Sequence, residues 1–241
     1  MKYTPALASG RLVKRYKRFL ADIESPAGEL MTIHCPNTGS MKNCTEPNSE
    51  VWYSTSDNPK RKYAHTWELA KTPRGHYIGI HSAKANQLVL EAIHANKVPE
   101  LQGYADIRTE VKYGNENSRI DLLLTGDTSK DSKDCYVEVK SVTLLEASGR
   151  GFFPDAVSSR GTKHLRELIE VVANGGRAVL FFCVQHSGIN TVEPAGHIDP
   201  EYTSTIKMAV EAGVEVLAYK CRMSPQSISV SKSIAFRLPE S

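Results

Sequence analysis

Three residues near the middle of the chain have the types and spacing of a phosphate-chemistry site. They are Asp121 in Arg-Ile-Asp-Leu-Leu-Leu, and Glu138 and Lys140 in Tyr-Val-Glu-Val-Lys-Ser. Side chains alternate along a strand, so Glu138 and Lys140 share one face while Val137 and Val139 share the other. A symmetric antiparallel hairpin closed by the polar run Thr125 to Asp134 sets Asp121 opposite Glu138. Directly opposed residues have Cβ atoms about 4.5–5.5 Å apart. Two carboxylates so placed repel unless a cation lies between them. Oxygen ligands of this kind suit Mg²⁺ or Mn²⁺, which keep waters and accept phosphate oxygens. A lysine two residues on can stabilise a pentacovalent phosphate or help activate water. That is the layout of a metal-dependent phosphodiesterase.

A plainer reading stands beside it, in which these charges line a solvated strand face. Glu-x-Lys is a common tripeptide, and the chain holds a second copy at Glu110-Val111-Lys112 that lacks an aspartate at hairpin distance upstream. Glu91, on the helix before the hairpin, is a candidate third metal carboxylate or an ordinary surface glutamate. Arg160, Lys163 and His164 open a later helix, where an anion is favoured and cations cost stability unless one is bound. Asp155 reads as a turn or cap residue.

Two basic stretches precede this region. Lys14-Arg15-Tyr16-Lys17-Arg18-Phe19 alternates cations with rings, and Lys60-Arg61-Lys62-Tyr63 does something similar. Cations for backbone and rings for bases suit a single-strand binding surface. A lysine-guarded strand edge uses the same residues.

The elements that must position these groups divide the chain in two. Up to residue 82 the signals are β: Arg11–Ile23, Leu30–His34, Val51–Ser54, Tyr63–Leu69 and His76–Ile80, separated by turn pairs such as Pro36-Asn37 and Pro47-Asn48. Five short strands suit a small barrel such as an OB-fold. From residue 83 to 241 the order is helix (Ser82–Asn96, with Ser82 as N-cap), three strands, helix (Thr162–Asn174), strand (Arg177–Val184), helix (Pro200–Ala212) and two more strands. That order predicts a mixed sheet covered by helices.

Whole-chain properties set the bounds. The 241 residues, 40% apolar and 24% charged, suit one large or two small globular domains, and a net charge of +3 names no partner. Five cysteines, an odd number without a C-x-x-C pair, argue against a disulfide scaffold and a zinc ribbon. His34, Cys35, Cys44, His65, His76 and His81 show no ligand spacing for zinc. With no apolar signal core and a longest apolar run of Ala178 to Val184, the expectation is a cytoplasmic protein without a membrane span. Oligomeric state is not legible.

Taken together, the strings Gly10-Arg-Leu-Val-Lys-Arg-Tyr-Lys-Arg-Phe-Leu-Ala-Asp22, His34-Cys-Pro-Asn-Thr-Gly-Ser-Met41, Asn58-Pro-Lys-Arg-Lys-Tyr63, Arg119-Ile-Asp121, Val137-Glu-Val-Lys-Ser-Val-Thr-Leu144, Phe153-Pro-Asp-Ala-Val157 and Arg160-Gly-Thr-Lys-His-Leu165 resemble the sugar fermentation stimulation protein A family. The resemblance runs nearly end to end. It implies an OB-like N-terminal domain and a PD-(D/E)xK restriction-endonuclease-like α/β domain. It also implies DNA binding with little sequence preference and a role in regulating maltose metabolism. On that pattern Asp121, Glu138 and Lys140 match the nuclease core and Glu91 its helical acid. One departure is Ile80-His81-Ser82 at the domain junction, where such proteins tend to carry a Val-Asn-Thr-like stretch. Three functions follow for comparison: a Mg²⁺- or Mn²⁺-dependent nuclease, a non-catalytic DNA-binding regulator, and a protein-interaction module.

Overall fold

In the computed structural model, residues 1–114, 118–127 and 133–239 are described. The first six strands are β1 (Ala8–Tyr16), β2 (Leu20–Glu24), β3 (Leu30–His34), β4 (Glu50–Thr55), β5 (His65–Lys71) and β6 (Tyr77–Gly79). Pairing runs β3-β2-β1-β4-β5, and β3 meets β5 to close a five-stranded barrel, with β6 added beyond β5. Leu12, Ile23, Ile33, Val51, Trp67 and Ile78 fill it. The single strand expected over residues 11–23 is two, because Lys17 and Arg18 adopt left-handed φ values of 50° and 65° and turn the chain back. No glycine or asparagine marks that turn, which is why the sequence conceals it.

The second unit opens with α1 (Lys84–His94) and continues through β7 (Tyr104–Tyr113), β8 (Ser118–Asp127), β9 (Cys135–Val142), β10 (Leu144–Leu145), β11 (Arg150–Phe153), α2 (Ser159–Ala173), β12 (Arg177–Val184), β13 (Thr191–Pro194), α3 (Pro200–Glu211), β14 (Glu215–Ser224), β15 (Ser227–Ser233) and β16 (Ala235–Phe236). Its main sheet has the order β15-β14-β12-β9-β8-β7, parallel at the centre and antiparallel at both sides. The expected elements are present in order, and β10, β11, β13 and β16, which the sequence reading lacks, form a second, four-stranded sheet. The polar run read as the β8–β9 connection lies partly outside the described residues, at 128–132.

Strand β12 is the central apolar run because both of its faces are covered. Val179, Phe181 and Cys183 join Leu88, Val89 and Ile93 of α1 on one side. Leu180, Phe182 and Val184 join Leu165 and Leu168 of α2 and Ile206 of α3 on the other. The Ser158 side chain caps α2 by accepting from Gly161 N at 3.0 Å, and Gly175, at φ +84°, follows its end. Ser82 does not cap α1. That position falls to Ala83, with no side-chain cap.

The two units are stitched together. Gly79 N donates to Gln185 O at 2.8 Å, Tyr77 N to Ser187 Oγ at 2.8 Å, and Lys84 Nζ pairs with Glu68 at 2.6 Å. The chain start joins the second unit: Tyr3 N donates to Gln226 O, and Lys2 bridges to Ser227. Among the described residues no helix is long and apolar enough to cross a membrane.

Candidate functional site

The β8–β9 ladder pairs Leu122 with Val137, Leu123 with Tyr136 and Leu124 with Cys135. Continuing that register by one step sets Asp121 against Glu138, as the hairpin spacing predicts. The ladder ends there, however. Ile120 belongs to the α2 side of the core and Leu122 to the α1 side. In a regular strand two such residues share a face, so β8 twists through Asp121. On the neighbouring strand Glu110, the residue level with Asp121, has a φ of +54°.

This kink frees the Asp121 carboxylate from a simple cross-strand position. Its Oδ2 accepts from Val139 N at 2.7 Å and its Oδ1 from Asn86 Nδ2 of α1 at 2.7 Å. Burial, and then the charge of Glu138, raise Asp121 from 3.8 to about 6. The acids therefore sense each other, although each turns toward a different helix.

Glu138 turns toward α2 and is 2% exposed. Its Oε1 receives Lys140 Nζ at 2.6 Å and is also contacted by His164 Nδ1. Lys140 Nζ lies 3.2 Å from that same ring nitrogen, and Arg160 Nε donates to His164 Nε2 at 3.4 Å. Both ring nitrogens of His164 are therefore engaged, Nδ1 by Glu138 and Lys140 and Nε2 by Arg160. Burial alone would raise Glu138, but its bonds and charges from His164 and Lys140 outweigh that and hold it below the ordinary value. The other oxygen, Oε2, is buried without a hydrogen-bond partner among the described residues.

The structure therefore gathers Asp121, Glu138 and Lys140, and corrects two assignments. Glu91 is no part of this cluster. Its side chain is 41% exposed and pairs with the Met1 ammonium at 2.7 Å. Asn86 reaches Asp121 instead, five residues and about 140° away around the helix. His164, expected to grip phosphate at the helix surface, is buried and bonded to Glu138. Arg160 stays exposed beside it, and Lys163 is half-buried.

Further buried polar groups surround the cluster without having been singled out in the sequence. Glu167, one helical turn after His164, is 1% exposed, and neither carboxylate oxygen has a hydrogen-bond partner among the described residues. The Tyr113 hydroxyl is also unpartnered. Its titration is pushed up first by burial and then by Glu138, Glu167 and Asp121, which places it among the three acids. The sequence signal for Glu167 is its place between Leu165 and Leu168, on the stripe that faces the core.

A divalent cation fits the donor chemistry in part. Two neighbouring carboxylates, one of them with an oxygen unbonded among the described residues, are hard oxygen donors. Among the described residues, no three histidine, cysteine, aspartate or glutamate side chains converge closely enough to hold a metal ion. A cation would therefore rest on Asp121 and Glu138 and take its remaining oxygens from water and substrate.

The basic groups of the barrel differ in role. Lys17 and Arg18 sit exposed at the β1–β2 tip, Lys60, Arg61 and Lys62 are exposed in the β4–β5 loop, and Lys14 is exposed over the Tyr16 ring. Arg15 is engaged: its guanidinium donates to the carbonyls of Arg18, Asn37 and Gly39 at 2.7, 2.9 and 2.9 Å. It holds the loop that Asp155 grips from the other side. Asp155 Oδ2 accepts from Ser40 Oγ and Met41 N, both at 3.1 Å. Asp155 is thus a latch between the units, where the sequence suggested a turn or cap.

Comparison with known proteins agrees with this architecture. The sugar fermentation stimulation protein RE domain matches residues 83–227, and the SfsA N-terminal OB domain matches residues 13–80. A sugar fermentation stimulation protein homolog of Shewanella frigidimarina is 60% identical over 97% of this chain and 98% of its own length. That of Shewanella pealeana is 60% identical over 99% and 100%. A solved structure, Pyrococcus furiosus SfsA in complex with Ca²⁺, superposes with a TM-score of 0.86 at 24% identity, covering 98% of both chains. With both family domains in sequence and relatives this close over its whole length, the chain belongs to the sugar fermentation stimulation protein family.

Proposed function

We propose that the protein is a DNA-binding, Mg²⁺- or Mn²⁺-dependent hydrolase of nucleic-acid phosphodiester bonds, acting in the cytoplasm and linked to the regulation of sugar, specifically maltose, metabolism. The observation that carries this reading is Glu138, a carboxylate buried beside Asp121 with one oxygen left unpartnered among the described residues. Leaving a buried carboxylate oxygen unmet is costly unless a cation completes it. Pure DNA binding gains nothing from two such acids facing phosphate.

In this reading Asp121 and Glu138 hold the metal, in the manner of a PD-(D/E)xK core. The metal, when bound, supplies a polarised phosphoryl oxygen and a more acidic water. Asn86 and Val139 N fix the orientation of Asp121. His164 fixes Glu138, and Arg160 fixes His164. Lys140 offers its ammonium to the charge that develops on phosphate. The exposed barrel cations Lys14, Lys17, Arg18, Lys60, Arg61 and Lys62, with Arg160 and Lys163, attract the backbone. The Pyrococcus furiosus relative of the same fold was solved in complex with Ca²⁺, a hard cation, which supports this reading.

A non-catalytic DNA-binding role is the second reading. It is favoured by the contacts of Lys140 and His164 with Glu138, which already neutralise one oxygen. Purified protein incubated with DNA and RNA, with Mn²⁺ or with EDTA, separates the two. Metal-dependent cleavage lost in Asp121→Ala and Glu138→Ala, with DNA binding retained, supports the hydrolase. Binding without cleavage under any metal leaves the second reading.

A further inference from the structure

The Lys140 side of the site opens into a cleft of about 300 Å³ at the seam between the two units. One wall is Asn37 of the barrel. The others are Ser82, Ala83 and Asn86 at the start of α1, and Lys140, Ser141 and Thr143 at the end of β9. The barrel wall is built, not incidental. Arg15 ties the carbonyls of Asn37 and Gly39 from behind, Asn37 Oδ1 accepts from Gly39 N at 2.9 Å, and Asp155 pins Ser40 and Met41 from the second unit. Cys44 Sγ points to Thr143 O at 3.7 Å, and Asn43 Nδ2 donates to Leu145 O at 3.1 Å.

We propose that this cleft is a binding site for one unstacked nucleotide of a single strand, with the barrel residue Asn37 contacting the substrate beside Lys140. Three features lead there. The lining offers one cation, amides and hydroxyls, the partners that a phosphate and a sugar require, beside the Asp155 carboxylate, whose Oδ2 is taken up by Ser40 and Met41. Its volume lies at the lower end of the range for small-molecule sites, room for one nucleotide and too little for a stacked pair of strands. The barrel loop that narrows it is fixed by bonds on both sides, so the cleft does not widen without breaking them. A nucleotide reaching Lys140 must therefore come from a single strand or leave its duplex. The proposal rests on the hydrolase reading only for what happens after binding.

The test is fluorescence anisotropy with a labelled single-stranded oligodeoxynucleotide of about ten residues, within the usual span for OB-type surfaces, and with a blunt duplex of the same sequence. Ala83→Trp fills the cleft from an exposed position, so folding is expected to survive, and thermal melting checks it. Asn37→Ala removes the proposed contact. Ala83→Trp should weaken single-strand binding about tenfold or more while changing duplex binding less than about twofold. Single-strand affinity that survives Ala83→Trp overturns the proposal, as does an equal loss on both substrates or no single-strand binding at all. Wild-type protein that binds single strands through the cleft and cuts nothing with Mn²⁺ removes the hydrolase reading and leaves the cleft assignment standing.

Discussion

Asp121 offers a test of the site that does not depend on activity. Burial, and then Glu138, shift its carboxyl from 3.8 to about 6, against the opposing pull of Val139 N, Lys140 and Asn86. The folded state thus holds the Asp121 proton more tightly than the unfolded chain does. As pH rises from 3.8 to 6, the unfolded chain releases that proton first and folding stability falls. At about 1.4 kcal/mol per tenfold, the full loss above pH 7 is about 3 kcal/mol. Because the carboxylate keeps some contact with solvent, about 2 kcal/mol is the working figure. Asp121→Asn cannot ionise and should escape this loss. Its Oδ1 can keep Val139 N, and a flip of the Asn86 amide restores the second bond. In EDTA at pH 8 the variant should melt about 4–8 °C above wild type for a chain of this size, with roughly half that gain at pH 5, where about half the loss has accrued. Saturating Mn²⁺ should reverse the order. At a hundred times its dissociation constant it adds about 2.7 kcal/mol to wild type and nothing to the variant. A variant less stable than wild type at pH 8, or a gain independent of pH, refutes the reasoning.

Two further outcomes follow from named contacts. Glu167→Met removes a buried carboxylate with no hydrogen-bond partner among the described residues and should raise metal-free stability by about 1–3 kcal/mol, read by urea unfolding; a loss of stability would mean that Glu167 is satisfied in solution. Arg15→Ala breaks four carbonyl bonds, to Arg18, Asn37, Gly39 and Ser40, and should cost about 2 kcal/mol or more, whereas Lys17→Ala with Lys60→Ala should leave melting unchanged and flatten the salt dependence of DNA binding. Equal melting for both variants would place Arg15 back among the purely binding cations.

What could be read from the sequence follows from how local each signal is. Strand β12 was legible residue for residue because a continuous apolar run starts just after Gly175-Gly176. The Asp121–Glu138 register was legible because hairpin spacing depends only on counting along the chain. The helical partner of Asp121 was not. The buried stripe of α1 comprises Ala85, Leu88, Val89, Ala92 and Ile93, and Asn86 and Glu91 flank it on opposite sides. Periodicity fixes the stripe but not which flank meets β8. That choice depends on how the helix lies across the sheet. His164 was misread for the same reason: a helix start looks exposed in sequence, and only the crossing of α2 over β9 buries it against Glu138. The β1–β2 turn was hidden because Lys17 and Arg18 take a backbone conformation usually left to glycine or asparagine.

Charge balance then constrains what the site can be. Asp121, Glu138 and Glu167 carry three formal negative charges around the Tyr113 hydroxyl. Lys140 brings an ammonium into bonding contact with Glu138, whereas Arg160 stays exposed and reaches the far nitrogen of His164. A protein that merely used this region to bind phosphate would do better with the acids absent, because each repels the ligand that Lys140 and Arg160 attract. The acids make sense if a divalent cation shares them, since it outbids an ammonium for a carboxylate oxygen by charge. Lys140 would then be free to face the cleft. The contact between Lys140 and Glu138, which at first favours a purely structural role, would under the proposed function be the metal-free state of the site.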